Sequence, residues 1–235
     1  MLDTATRRLA SLRALLADLV CIVRRRGLGP TLGQLAGDAR TRARELVRSK
    51  ETDDILVKEM RADAAPEGTG EFRLERVARR HAPELRGLSL ESEPCNARRS
   101  RYALDCLEAG YAGFLIRQGD TIVGHFWWID RHHDQGHPDL ATYHIELGDG
   151  DVYGFGYRLA QQVRGGGVSS QLLLAVEAEL ARAGYERMWG FVDTANTAAR
   201  WTYVLGGWTV AHTIKRERRL GVSRDTVLAP AGAGG

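Results

Sequence analysis

Two stretches decide the reading of this chain: Gln162-Val163-Arg164-Gly165-Gly166-Gly167-Val168-Ser169, and the run from Asn196 through Ala199, Tyr203 and Gly207 to Trp208. The first follows a segment of strand character, Asp151–Leu159. It opens a helix, Gly167–Ala183, with Val168, Leu172, Val176 and Leu180 on one face. Successive glycines let the backbone turn tightly and present several N–H groups together. With the positive end of a helix dipole, those groups make an anion site suited to a diphosphate. A Gly-rich turn that only starts a helix has the same local sequence, so the loop alone leaves both readings open.

Working outward, Gly184 ends that helix, and a strand (Arg187–Val192), a helix (Thr197–Leu205) and strands at Trp208–Ile214 and about Arg216–Leu220 follow. Upstream, Ile55–Met60 and Phe72–Val77 read as strands, and Ala82–Leu88 and Asn96–Glu108 as helices. Gly113–Arg117 and Thr121–Ile129 flank Gln118-Gly119-Asp120, a hairpin signal. A polar loop, Asp130–Asp139, leads to a strand at Ala141–Leu147 and, past Gly148-Asp149-Gly150, to Asp151–Leu159. The order implies an α/β domain with a mixed sheet.

The two stretches together resemble the GNAT superfamily of N-acetyltransferases. That family's first motif, Arg/Gln-x-x-Gly-x-Gly/Ala, is matched by Arg164, Gly167 and, imperfectly, Ser169. Its later motif is matched by Asn196, Ala199, Tyr203, Gly207 and Trp208, with Trp where the family has Phe. The specific match covers about fifty residues, and the order of elements extends it to roughly 55–220. The resemblance implies a mixed, largely antiparallel sheet flanked by helices. It implies acetyl-coenzyme A, or another acyl-coenzyme A, as co-substrate, and no metal. Leu159 and Gln162, Val163, Arg164, Gly165, Gly166, Gly167, Val168 and Ser169 would hold the donor's diphosphate end. Asn196 and Ala199 would meet the pantetheine arm, and Tyr203 would protonate the leaving thiolate. A core tyrosine on an apolar helix face is the other reading of Tyr203.

Many relatives carry a carboxylate on the strand before the phosphate loop. Here Val152–Leu159 has none, and Gly154 and Gly156 leave space on one face. Candidate bases are Glu146, Asp193, His144 and Asp151, or a water held by backbone groups. Trp128, His144, Tyr153 and Phe155 are the candidate acceptor-site wall. Trp127 and Trp128 alternate in direction, which predicts one in the core and the other against substrate. His132, His133 and His137 lie in a polar loop and read as solvated side chains rather than metal ligands.

Residues 1–50 hold eleven Lys/Arg and four Asp/Glu, a balance of +7, whereas the rest holds twenty-two against twenty-six, or −4. The basic part reads as a helical hairpin: Leu9, Leu12, Leu16, Leu19 and Val23 share one face, Gly27–Pro30 breaks the helix, and a second runs from Thr31 to Lys50. The expected organisation is a basic extension over 1–50, an acyltransferase domain over 51–225 and a flexible tail over 226–235. The hairpin's apolar face suits docking on the domain or a homodimer. Its arginines suit tRNA, an acidic carrier protein or an anionic surface, but no RNA-binding motif accompanies them. Three cysteines without pairing or metal spacing fit a reduced, cytoplasmic protein. No stretch is long and apolar enough for stable membrane insertion. The expected reaction is acyl transfer from acyl-coenzyme A to the amine of a small molecule. Aminoacyl transfer from a charged tRNA and a non-catalytic acyl-coenzyme A sensor are the rivals.

Overall fold

The computed structural model describes residues 48–64, 70–86, 88, 90, 97–134, 136–165, 167–219 and 222–229. The hairpin expected over 1–50 therefore lies outside the described residues, save for its last three. Eight strands form one sheet: β1 (Arg48–Glu59), β2 (Phe72–Arg76), β3 (Ala112–Gln118), β4 (Thr121–Asp130), β5 (Asp151–Leu159), β6 (Arg187–Asp193), β7 (Thr209–Arg219) and β8 (Val222–Leu228). Their order across the sheet is β2-β3-β4-β5-β6-β1-β7-β8. Only β5 and β6 run parallel; the other pairings are antiparallel. The helices are α1 (Ala82–Leu85), α2 (Ala97–Glu108), α3 (Pro138–Thr142), α4 (Val168–Arg182) and α5 (Thr197–Leu205).

The two faces of the sheet carry different cores. On one, Ile55, Leu115, Trp127, Ile129, Tyr153 and Phe155 pack with Ala103, Leu104 and Cys106 of α2. On the other, Leu56, Phe114, Phe126, Trp128, Val152 and Met188 pack with Leu173, Val176 and Leu180 of α4. Alternating side chains of one strand feed opposite cores, so Val123–Ile129 is buried throughout. Covering both faces is what makes β4 a continuous apolar run rather than an alternating one.

Several expectations are corrected. Ala141–Leu147 is not a strand. Pro138 opens α3, where its missing N–H costs nothing, and the Nδ1 of His137 accepts the Asp139 N–H at 3.2 Å. The helix ends at Tyr143 and His144, the latter at φ +51°. The two strands expected over 208–214 and about 216–220 are one, β7 (Thr209–Arg219), held by β1 and β8 along its sides. Residues 226–228 belong to β8 rather than to a tail, and 48–50 belong to β1 rather than to the extension.

Near the β2 edge Arg117, nearly buried, gathers two carboxylates. Its Nε donates to Glu75 at 2.6 Å, its Nη2 to Glu84 at 2.7 Å, and its Nη1 to the Asp120 carbonyl at 2.9 Å. The Arg117 guanidinium, with Arg80 and His81, holds the Glu75 carboxyl down to about 2. A depressed carboxylate stabilises the fold above its ordinary range, and that contribution is lost as the pH falls through about 2. Arg117→Met removes the strongest partner of Glu75, which keeps Arg80 and His81, and leaves the exposed Glu84 to solvent, so it is expected to cost about 1–2 kcal/mol at neutral pH. Urea unfolding monitored by tryptophan fluorescence reads this directly.

Candidate active site

The site begins where two strands part. β5 and β6 pair over three residues only, Asp151–Tyr153 against Arg187–Trp189, and then diverge. Beyond that point β5 pairs with β4 alone, and it carries one residue more than β4 between the pairs His125–Arg158 and Trp127–Phe155. Gly156 sits in this bulge at φ +61°. A Cβ there would stand 2.6 Å from the Tyr102 hydroxyl, so both the turn and the close approach require glycine. Beneath it His125 is buried, which pushes its imidazole down to about 3 and keeps it neutral. Trp127 Nε1 donates to His125 Nδ1 at 3.1 Å, which leaves the other ring nitrogen to donate to the Gly156 carbonyl.

The glycine loop lies where β5 ends. Gly165 and Gly167 have φ of +107° and +82°, and a Cβ at either would meet nothing within 4 Å. Gly167 caps α4 with no side chain to bond its first turn, and the Val168 N–H donates back to the Gly165 carbonyl at 3.0 Å. Arg164 Nε donates to the Leu159 carbonyl at 2.8 Å, tying the loop to β5. Tyr157 donates to the Ser169 carbonyl at 2.7 Å, tying the bulge to the first turn of α4. Leu159 and Val163 are buried beneath the loop and act as its floor, whereas Gln162 and Arg164 are exposed. Gly166 lies outside the described residues. Open space, left-handed glycines and a helix start together suit a diphosphate.

α5 borders the gap on the α4 side. Asn196 caps it, its Oδ1 accepting the Ala199 N–H at 3.1 Å, so only its amide NH2 is left to meet an arm of the donor. Tyr203, partly buried, packs edge-on against Trp208, ring centroids 5.0 Å apart, at the edge of the α4-face core. Burial, and then the charge of Glu177, push its phenol up to about 12. Glu177 is a carboxylate in the apolar face of α4, 2% exposed. It accepts from Trp208 Nε1 at 2.8 Å and from Lys58 of β1. Trp, in the position where the family has Phe, supplies the donor that this buried acid requires.

On the opposite face the acceptor-side candidates separate. Trp127 and Trp128 are 0% and 1% exposed, so both are core, one on each face; Trp128 is corrected from substrate wall to packing against Phe114 and Phe126. Tyr153 is also interior, its hydroxyl donating to Asp139 at 2.7 Å. Phe155 stands edge-on to Tyr111 and 4.3 Å from the His137 ring. His133 stacks obliquely on Tyr111, so two of the loop histidines pack on aromatic rings instead of standing in solvent. Among the described residues no group of His, Cys, Asp and Glu is placed to hold a metal. His144 and Glu146 are exposed beyond α3. Asp193 ends β6, with its Oδ1 accepting the Ala195 N–H at 2.9 Å. Asp151 is fully engaged by Arg187, Trp189 and the Gly148 N–H.

Sequence reasoning passed over two acids of this region, Glu177 and Asp53. Glu177 breaks an otherwise apolar helix face, a signal that was there to read. Asp53 stands just before the apolar run of β1, and nothing local reveals that it pairs across the sheet with Asp193.

Among solved structures, the chain is similar to the GCN5-related glucosamine N-acetyltransferase region of a fungal multi-domain GH3 β-N-acetylglucosaminidase, at 13% identity and TM-score 0.53, covering 77% of this chain and 22% of that one. It is similar to a conserved protein of unknown function from Staphylococcus epidermidis, at 11% identity and TM-score 0.50, covering 81% and 66%. A GCN5-related N-acetyltransferase from Kribbella flavida matches at 15% identity and TM-score 0.43, covering 81% and 63%. The chain thus spans less than two thirds of the length of each. No curated protein matches it. Among the described residues no helix is long and apolar enough to cross a membrane. The sequence model of the acetyltransferase (GNAT) family matches residues 74–206, more than half of the chain and all of the site from the β3–β4 hairpin to Tyr203, so the protein belongs to the GNAT family of acetyltransferases.

Proposed function

We propose that this protein moves an acetyl or other short acyl group from acyl-coenzyme A to the amine of a small molecule by direct attack. The observation that carries the reading is the parting of β5 from β6, with the open glycine loop at one end and Tyr203 on the flanking helix. When bound, the donor supplies an activated acyl carbonyl on a good leaving group.

In this reading the loop from Gln162 to Ser169 fixes the diphosphate by its backbone, and Asn196 and Ala199 border the arm. N–H groups of the parted strand hold the charge that develops on the carbonyl oxygen. Tyr203 keeps its proton at every working pH and gives it to the departing sulfur. Phe155 and the rings of Tyr111 and His137 form the apolar side of the acceptor site. The catalytic unit is the segment expected over 51–225, enlarged by the rest of β1 and β8. The reaction belongs in the cytoplasm, where the buried Cys106, its thiol pushed up to about 12, stays reduced and unreactive.

The test is a library of small amines incubated with the protein and acetyl-coenzyme A. The expected result is a 42 Da gain on one structural class of acceptor, roughly the mass of an acetyl group replacing a proton, with stoichiometric thiol release. Salt-sensitive tRNA binding, lost on deleting residues 1–47 and unaccompanied by thiol release, would favour aminoacyl transfer instead.

A further inference from the structure

We propose that Asp53 is the proton acceptor of the acyl transfer, supplying from β1 the carboxylate that β5 lacks; the assignment rests on the acyl-transfer reading above.

β1 occupies the slot between β6 and β7, and its register sets Asp53 opposite Asp193 on one side and Ile214 on the other. Asp53 shares a face with Ile55, two residues on, and Ile55 lies in the core with Phe155 and Tyr143. That face is the one opposite α4. Asp53 therefore stands on the acceptor side, at the end of β6 that β5 has left. Its neighbour Asp54 points the other way and is spoken for: Thr213 Oγ1 donates to it at 2.8 Å and Arg200 Nη2 lies 3.1 Å from it.

The groups facing Asp53 come from every neighbouring element. They are Glu51 on its own strand, Asp193 on β6, Arg216 on β7 and Tyr143 after α3. Tyr143 is held in place by stacking on Phe191, ring centroids 4.5 Å apart. Arg216 is the cation among them, and it is committed elsewhere. Its Nε and Nη2 reach both oxygens of Asp225 on β8, at 3.1 and 3.2 Å, while its guanidinium lies 5.9 Å from the Tyr143 ring centre. Asp53 is 7% exposed; the Tyr143 hydroxyl donates to it, and the Arg216 charge acts on it as well. The other carboxylates are worse placed: Asp151 is saturated, Asp193 caps a turn, and Glu146 lies in solvent. Burial, and then the Asp193 charge, push the Asp53 carboxyl up to about 6. It is then ionised at neutral pH and basic enough to take a proton.

The step balances. Asp53 takes one proton from the attacking nitrogen as the C–N bond forms. The C–S bond breaks, its electron pair leaves with sulfur, and sulfur takes the Tyr203 proton. The Asp53 proton then passes to solvent, and solvent reprotonates Tyr203.

The experiment compares wild type, Asp53→Asn and Asp225→Asn with acetyl-coenzyme A and an accepted amine across pH 5–10. Asp53→Asn is expected to lower kcat about 100-fold or more and to abolish the acid limb of kcat/KM near pH 6. Its acetyl-coenzyme A affinity by calorimetry should stay within about twofold of wild type. Because burial raises this pKa, ionised Asp53 opposes folding once the pH passes about 6. The neutral variant should then melt no earlier than wild type at pH 8, which separates lost chemistry from lost structure. Asp225→Asn frees Arg216 toward Asp53 and should move the acid limb to lower pH. A wild type that turns over, matched by Asp53→Asn with the same kcat and acid limb, overturns the assignment and leaves acyl transfer standing. A wild type that consumes no acetyl-coenzyme A with any amine overturns acyl transfer and the assignment together.

Discussion

Lys58→Met is expected to cost about 3–5 kcal/mol at neutral pH, more than the loss of Arg117 from its more exposed carboxylates. Lys58 is 14% exposed and meets Glu177, which is 2% exposed, in the middle of α4. Among the described residues Glu177 has one other donor, Trp208 Nε1. Removing the ammonium leaves a desolvated carboxylate with a single neutral hydrogen bond, and burial already raises its pKa despite Lys58. A raised carboxyl pKa favours the folded state at low pH, and this support is lost as the pH rises through the folded value. The penalty of Lys58→Met should therefore shrink as the buffer is made acidic. Adding Glu177→Gln removes the charge while keeping an acceptor for Trp208, so the double variant should regain most of the loss. Chemical unfolding of the four proteins of this cycle at pH 5 and pH 8 measures the coupling. Additive losses, insensitive to pH, would mean that the pair is solvated.

Tyr203→Phe is expected to lower kcat by about 10²–10⁴-fold, the usual range for a positioned general acid, with little change in acetyl-coenzyme A affinity. The ring stays, so its edge-on packing on Trp208 stays too. With the phenol near 12, wild-type turnover should show no alkaline limb from this group below about pH 11. Stopped-flow thiol release, read with a chromogenic disulfide, separates the chemical step from product release. Full turnover by the variant at every pH, with every acceptor tried, would return Tyr203 to the status of a core residue.

What was legible in the chain was what local chemistry writes. Glycines before an apolar-striped helix announced the loop, and the spacing from Asn196 to Trp208 placed a capped helix before β7. Short polar Gly turns announced the β3–β4 hairpin. Two kinds of feature were not legible. Where one residue outweighs a pattern, the pattern misleads: Pro138, in what reads as a polar loop, starts a helix that runs on into the start of the expected strand. Where partners are distant in the chain, nothing local speaks. The pairing of Asp53 with Asp193, the saturation of Asp151 by Arg187 and Trp189, and the burial of both Trp127 and Trp128 all depend on which elements meet. The proposed donor side is built from contiguous motif and could be read. The proposed acceptor side draws on β1, β5, β6, β7 and the α3 turn and could not.

The place of β1 also governs how the protein comes to be made. Its partners are the strands that hold Asp193 and Lys215, so the first described strand waits for nearly the last part of the chain before it can pair. Such distant contacts slow folding, because loop closure must be met before pairing rewards it. During synthesis β1 is already made when β6 emerges, and the flank of β6 stays exposed until β1 closes that long loop and β7 follows. In that interval the nascent chain is a half-closed sheet that a strand from a neighbouring copy could also fill. Slow synthesis and low temperature are the conditions under which its own β1 wins that competition.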